Sequence, residues 1–104
     1  MTRAALVNGA DGRWRVTGRL ELDTVGELWA QGMERFAVEG GACEIDLAEV
    51  ERTDSAGVAL LIDWTRQARG RGGRLRLCHV PEQMLAIVRA SGAGSVLEIA
   101  DVPA

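Results

Sequence analysis

Apolar and polar positions along the chain follow two different periods, and these predict its strands and helices. Alternation with period two is typical of a half-buried strand, and apolar residues at i, i+3, i+4 and i+7 indicate an amphipathic helix. Asn8-Gly9 and Asp11-Gly12 are turn-forming dipeptides between the first two strands, so they predict an N-terminal β-hairpin. The predicted strands are 4–7, 13–17, 43–47, 74–80 and 96–99, with a loop over 48–53.

Three segments have the signals of helices. Thr24 and Glu27 have the spacing of a capping box at the start of the first helix, which is predicted to end near Val38 before a glycine pair. The second helix is predicted from Ser55 to Arg69, and the third begins at Pro81. The inward positions predicted for the first helix are Val25, Leu28, Trp29, Gly32 and Phe36, and those for the second are Val58, Leu61, Ile62, Thr65 and Ala68.

The order of these elements, β-β-α-β-α-β-α-β, predicts the fold class. Strands that alternate with helices form right-handed crossovers, so the later strands should be parallel and the sheet mixed. Four arginines occupy the outward positions of two strands and predict a solvated sheet face; they are Arg13, Arg15, Arg74 and Arg76. We therefore expect a single α/β domain over residues 1–104, with its helices mainly on one face of the sheet.

Composition excludes several classes of protein. The chain has 104 residues, of which 47% are hydrophobic, and a formal net charge of −3. Such a chain is not disordered as a whole, and its acidity disfavours a nucleic-acid-binding module. Its longest apolar run, Val58 to Ile62, is far shorter than a membrane span, and the N-terminal apolar stretch is too short for a signal peptide. We expect a cytoplasmic protein in which Cys43 and Cys78 are reduced, buried thiols.

The sequence contains no recognisable catalytic set. An enzyme should offer a nucleophile with a base, paired acids or clustered metal ligands. The one histidine, His79, lies at the end of a predicted strand, where a surface or structural role is the expected one. The prediction is a protein without catalytic residues, cofactor or metal.

The segment Asp54-Ser55-Ala56-Gly57, which opens the second helix, is the main candidate for a functional site. Asp and Ser are preferred at helix starts because their oxygens accept free N–H groups, and this alone explains the pattern. The same position also exposes a hydroxyl at the positive end of the helix dipole, where a phosphate is tolerated. Both interpretations remain open on the local pattern.

Leu60 and Trp64 are the second candidate feature. On a helical wheel they fall about 200° and 240° from Val58, on the side away from the inward positions. They would either form an exposed protein-binding patch continuous with Ser55 or be covered by a neighbouring helix.

At these residues the chain resembles the STAS family, the fold of anti-sigma-factor antagonists. The matching segments are Gly18-Arg19-Leu20-Glu21, Ile45-Asp46-Leu47 and Thr53-Asp54-Ser55-Ala56-Gly57, and the order of elements agrees along nearly the whole chain. Glu21 departs from the aspartate that is frequent in the family at that position. The resemblance implies that Ser55 corresponds to the hydroxyl residue that is the phosphorylation switch.

Further segments resemble the MlaB branch of the family, the small cytoplasmic subunits of phospholipid transporters in Gram-negative bacteria. They are Leu28-Trp29, the run from Ser55 to Leu61 followed by Trp64, and Val80-Pro81-Glu82-Gln83-Met84-Leu85. The resemblance implies a non-enzymatic subunit that contacts the MlaF-like ATPase of an ABC transporter and meets the inner membrane only through that complex. The interface expected from it comprises Thr53, Asp54, Ser55, Ala56, Gly57, Leu60 and Trp64. The alternative is an antagonist that binds an anti-sigma factor kinase and is switched by phosphorylation of Ser55.

Overall fold

The computed structural model describes residues 4–8, 13–39 and 43–100. They form six strands and three α-helices in the order β-β-α-β-β-α-β-α-β, with a short 3-10 helix (Ala93–Ser95) before the last strand. The strands are β1 (Ala5–Asn8), β2 (Trp14–Leu20), β3 (Cys43–Asp46), β4 (Val50–Thr53), β5 (Leu75–Cys78) and β6 (Glu98–Ile99). The helices are α1 (Val25–Glu39), α2 (Ser55–Gly70) and α3 (Glu82–Ser91), and all three begin within one residue of the predicted positions.

The strands form one mixed sheet in the order β1-β2-β3-β5-β6. β4 follows β3 in the chain and pairs with the last residues of β2, from Gly18 to Leu20. β1 and β2 are antiparallel, which confirms the predicted pairing of the first two strands, although the turn residues 9–12 lie outside the described residues. The remaining pairs are parallel, as the alternation of strands and helices predicts.

The prediction of a loop over 48–53 is wrong, because Val50–Thr53 is a strand. Trp14 pairs with Ile45 and Leu20 with Thr53, so six steps along β2 match eight steps along the β3–β4 segment. The irregularity has two parts. One is a turn after Leu47, whose carbonyl accepts a hydrogen bond from the Val50 N–H at 3.1 Å, and the other is a bulge at Glu51, opposite the step from Gly18 to Arg19. The bulge breaks the period-two pattern, so two exposed residues lie between buried Val50 and Thr53.

The two faces of the sheet differ as predicted. Along β2, buried Trp14, Val16 and Leu20 alternate with partly exposed residues. On the face without helices, arginines pair with acids of adjacent strands: Arg13 lies 2.6 Å from Glu44, and Arg74 forms an ion pair with Glu98. The hydrogen bond from Arg74 lowers the pKa of Glu98 below its usual value.

Helix α2 packs against both α1 and α3, and this determines what it buries. Leu60 is 5% exposed and Trp64 is fully buried, so the prediction that they face away from the core is wrong. A neighbouring helix covers them: the Trp64 indole lies directly over Gly32 of α1, where a Cβ would be 2.3 Å from Nε1. A helix with neighbours on both flanks buries a wider arc than the single face that a wheel assigns to it.

Candidate functional site

The N-terminus of α2 is organised by Asp54. One carboxylate oxygen, Oδ1, accepts hydrogen bonds from the backbone N–H groups of Ala56 (2.9 Å) and Gly57 (3.2 Å). The other oxygen, Oδ2, accepts the N–H of Leu22 at 3.1 Å, in the turn between β2 and α1. Asp54 is therefore the N-cap of α2. It also holds the turn between β2 and α1 against the start of α2. Ser55 is the first residue of the helix, and its side chain is exposed.

Thr53 and Gly57 bring the end of β2 into contact with the first turn of α2. The buried Thr53 hydroxyl donates a hydrogen bond to the Leu20 carbonyl at 2.9 Å. A Cβ at position 57 would lie 2.4 Å from that same carbonyl oxygen, so only glycine fits there without movement of the backbone. Through these contacts with Leu20, Thr53 and Gly57 fix the position of Asp54 and Ser55, which lie between them in the sequence.

An apolar groove of about 310 Å³ runs between α1 and α2 from this point. It is lined by Val25, Gly26, Trp29, Ala56, Ala59, Leu60 and Asp63, and we call it the α1–α2 groove. Trp29 forms one wall, 44% exposed, so its predicted place among the inward positions of α1 is wrong. Its indole Nε1 donates a hydrogen bond to Asp63 Oδ2 at 2.5 Å, which orients the ring across the groove.

Exposed apolar side chains concentrate around the groove. Among the described residues, the large hydrophobic side chains that are exposed are Val7, Leu22 and Trp29, with Leu22 at 76%. Leu22 and Trp29 lie on this side of the molecule, Leu22 next to Asp54 and Trp29 opposite Ala56. An open apolar groove bordered by exposed hydrophobic residues is a typical protein-binding surface.

The structure brings together most of the predicted site and adds residues that the sequence reasoning missed. Residues 53–57 form one turn, and Leu60 lines the groove next to them. Trp64 lies in the core behind α1. Trp29, Leu22 and Ala59 were missed as site residues. Leu22 offered one weak signal, an apolar residue between Glu21 and Asp23 immediately before a helix.

Comparison with known proteins identifies a matching family and a relative of this chain. The family described as the MlaB-type STAS domain matches residues 7–98. MlaB of Escherichia coli K12, named an intermembrane phospholipid transport system binding protein, is 32% identical over 74 residues; these are 71% of this chain and 73% of that protein. No helix of the described residues is long and apolar enough to cross a membrane.

Solved structures share the fold at low sequence identity. An anti-sigma-factor antagonist (STAS) domain protein from Planctomyces limnophilus superposes with a TM-score of 0.74 at 15% identity, covering 98% of this chain and 92% of that one. The Bacillus cell fate determinant SpoIIAA, in its phosphorylated form, superposes with a TM-score of 0.67 at 20% identity, covering 93% and 90%. These likenesses confirm the predicted mixed α/β STAS fold.

Proposed function

The chain belongs to the STAS domain family, in its MlaB type, and on that premise we propose that it is a non-enzymatic subunit of a bacterial phospholipid ABC transporter. In this proposal it binds the MlaF-like ATPase of the transporter and regulates or stabilises it, in support of outer-membrane lipid asymmetry. It is located in the cytoplasm and reaches the inner membrane only through the complex. The observation that carries the proposal is the α1–α2 groove, which opens beside Ser55 with an exposed tryptophan as its wall.

The lining of the α1–α2 groove suits the binding of a protein partner better than it suits catalysis. Its lining is almost entirely apolar, and its one acidic side chain, Asp63, is engaged by the Trp29 indole. We assign direct contact with the partner to Ser55, Ala56 and Trp29, with Leu60 at the floor of the groove. Thr53, Asp54 and Gly57 position that surface, and Trp64 supports it from the core.

A second candidate function is the phosphorylation-switched antagonist of an anti-sigma factor kinase. The exposure of Ser55 at the first position of α2 favours it, because a phosphate there would be stabilised by the positive end of the helix dipole. The two functions differ in partner and in whether a covalent charge is the signal. Intact-mass spectrometry of the protein from its native cells, combined with pull-down of its partners, distinguishes them.

Trp29→Ala is expected to weaken binding to the transporter ATPase by about 30-fold or more, because a central aromatic anchor typically contributes about 2 kcal/mol to an interface. The variant should fold, since the side chain is nearly half exposed and its loss leaves no cavity in the core. Isothermal titration with the purified ATPase subunit and a thermal melt of the same protein measure both effects. Val7→Ala removes an exposed apolar side chain from β1 and is the matched control. Equal affinity of the Trp29→Ala and wild-type proteins would remove the groove from the interface.

Ser55→Glu should leave the melting temperature unchanged or slightly higher, because a negative charge is favourable in the first turn of a helix. The same charge should abolish the complex, since the apolar contact region would have to desolvate an anion. Ser95→Glu, at another exposed serine, controls for added charge. Co-purification with the ATPase and a lipid-barrier assay in cells provide the readouts. Normal ATPase binding by Ser55→Glu would exclude Ser55 from the interface, and a substantial phosphorylated fraction in native cells would favour the antagonist.

A further inference from the structure

Three side chains with different metal-binding atoms meet at the ends of two neighbouring strands, on the face of the sheet that carries no helices. Asp46 ends β3 and Cys78 ends β5, and the parallel register pairs these two residues directly. His79 follows Cys78. The carboxylate oxygen, the thiol sulfur and the imidazole nitrogen that they offer all lie within 4.8 Å of one another.

Backbone geometry directs these groups toward one point. Asp46 and Cys78 lie on the face of the sheet opposite the core, since Asp46 stands between buried Ile45 and Leu47 and Cys78 follows buried Leu77. Cys78 is itself only 5% exposed, because Glu44 and Arg13 lie over its sulfur. His79 has a positive φ of 55°, a conformation that is uncommon for a residue with a Cβ. In this conformation its Nδ1 lies 3.1 Å from Asp46 Oδ1, so the imidazole packs back over the strand ends.

We propose that Asp46, Cys78 and His79 form a binding site for a soft divalent cation, with Zn²⁺ as the ion whose ligand preference they fit. Thiolate, imidazole and carboxylate are the three ligand types that zinc sites combine in proteins. On binding, the Cys78 thiol loses its proton to solvent and the sulfur forms the bond to the metal. Asp46 and His79 contribute an oxygen and a nitrogen that are neighbours before any metal arrives.

A neighbouring ion pair competes with a cation at this point. Glu44 Oε1 lies 3.9 Å from Cys78 Sγ but does not belong to the cluster of three, so water would complete a tetrahedral set. Arg13 lies 2.6 Å from the same Glu44 carboxylate and 4.0 Å from Sγ, so a bound cation would displace that guanidinium. The bound metal would fasten the ends of β3 and β5 together. Because β3 and β5 belong to the sheet and the α1–α2 groove belongs to the helices, the proposal does not rest on the proposed function.

The test uses the untagged full-length protein, reduced and freed of metal, titrated with Co²⁺ and then with Zn²⁺. One equivalent of Co²⁺ should bind and produce the absorption of a cobalt–thiolate bond, and Zn²⁺ should displace it and raise the melting temperature. His79→Gln, at an exposed residue, should weaken binding at least tenfold without unfolding the domain, the scale on which even supporting residues act in metal sites.

Cysteine variants assign the sulfur ligand. Cys78→Ser should abolish the cobalt–thiolate absorption, whereas Cys43→Ser, at the other cysteine of the chain, should bind like the wild-type protein. The proposal is overturned if the wild-type protein produces no such absorption, if His79→Gln binds as tightly as wild type, or if Cys43→Ser is the variant that loses it.

Discussion

Gly57→Ala should destabilise the domain by about 3 kcal/mol or more, although alanine is the better helix former by about 1 kcal/mol. The added methyl group would lie 2.4 Å from the Leu20 carbonyl oxygen and 2.4 Å from the Thr53 hydroxyl. Relief of the contact with Thr53 would need its hydroxyl to rotate out of the hydrogen bond with Leu20. The carbonyl belongs to the backbone of β2, so relief of that contact needs α2 to move away from the sheet.

Chemical denaturation measures the free energy of unfolding of this variant against a matched one. Gly70→Ala is the control, because it adds the same methyl group to the same helix at a position with nothing within 4 Å. The control should be neutral or slightly stabilised. If Gly57→Ala were as stable as Gly70→Ala, the close approach of α2 to the end of β2 would be wrong.

Trp64→Ala should cost about 3–5 kcal/mol, the range for removal of a large aromatic side chain from a core. The indole is fully buried and fills the space between α2 and Gly32 of α1. The variant should therefore melt at a much lower temperature and unfold at a much lower urea concentration than the wild-type protein, which thermal and chemical denaturation measure.

A double-mutant cycle with Gly32 tests the contact itself. Gly32→Ala alone should be destabilising, because its Cβ would overlap the indole. In the Trp64→Ala background that overlap is gone, so the same change should be neutral or stabilising through helix propensity. Additive effects in the cycle would show that the two residues do not touch, and stability curves from urea titrations of the four proteins decide it.

Trp29 and Trp64 show which features of a helix its hydrophobic periodicity can predict. Periodicity located both helices correctly, yet it assigned Trp29 to the core and Trp64 to the surface, and the structure reverses both. A wheel gives relative angles within one helix, but the width of its buried arc depends on how many neighbours it has. Helix α2 lies between α1 and α3 and therefore needs a wider apolar arc than the flanking helix α1 does.

The candidate site was predictable where it depends on local rules. Asp and Ser before an apolar period predict a capped helix start, and the cap is indeed Asp54. The groove was not predictable, because its walls come from two helices, α1 and α2, that β3 and β4 separate in the sequence. Strand β4 was missed for a related reason: its pairing with β2 depends on a turn after Leu47 and a bulge opposite Gly18 and Arg19, each of which shifts the register by one residue.

The fold makes different demands on the adjacent positions 54 and 55. Asp54 uses both carboxylate oxygens, for three backbone N–H groups in two segments of the chain. Within the described residues the Ser55 side chain contributes to none of these bonds, so it can change without loss of the fold. The turn therefore keeps its shape through the side chain at position 54, while the side chain at position 55 can be exchanged or modified to alter a partner contact without rebuilding the turn.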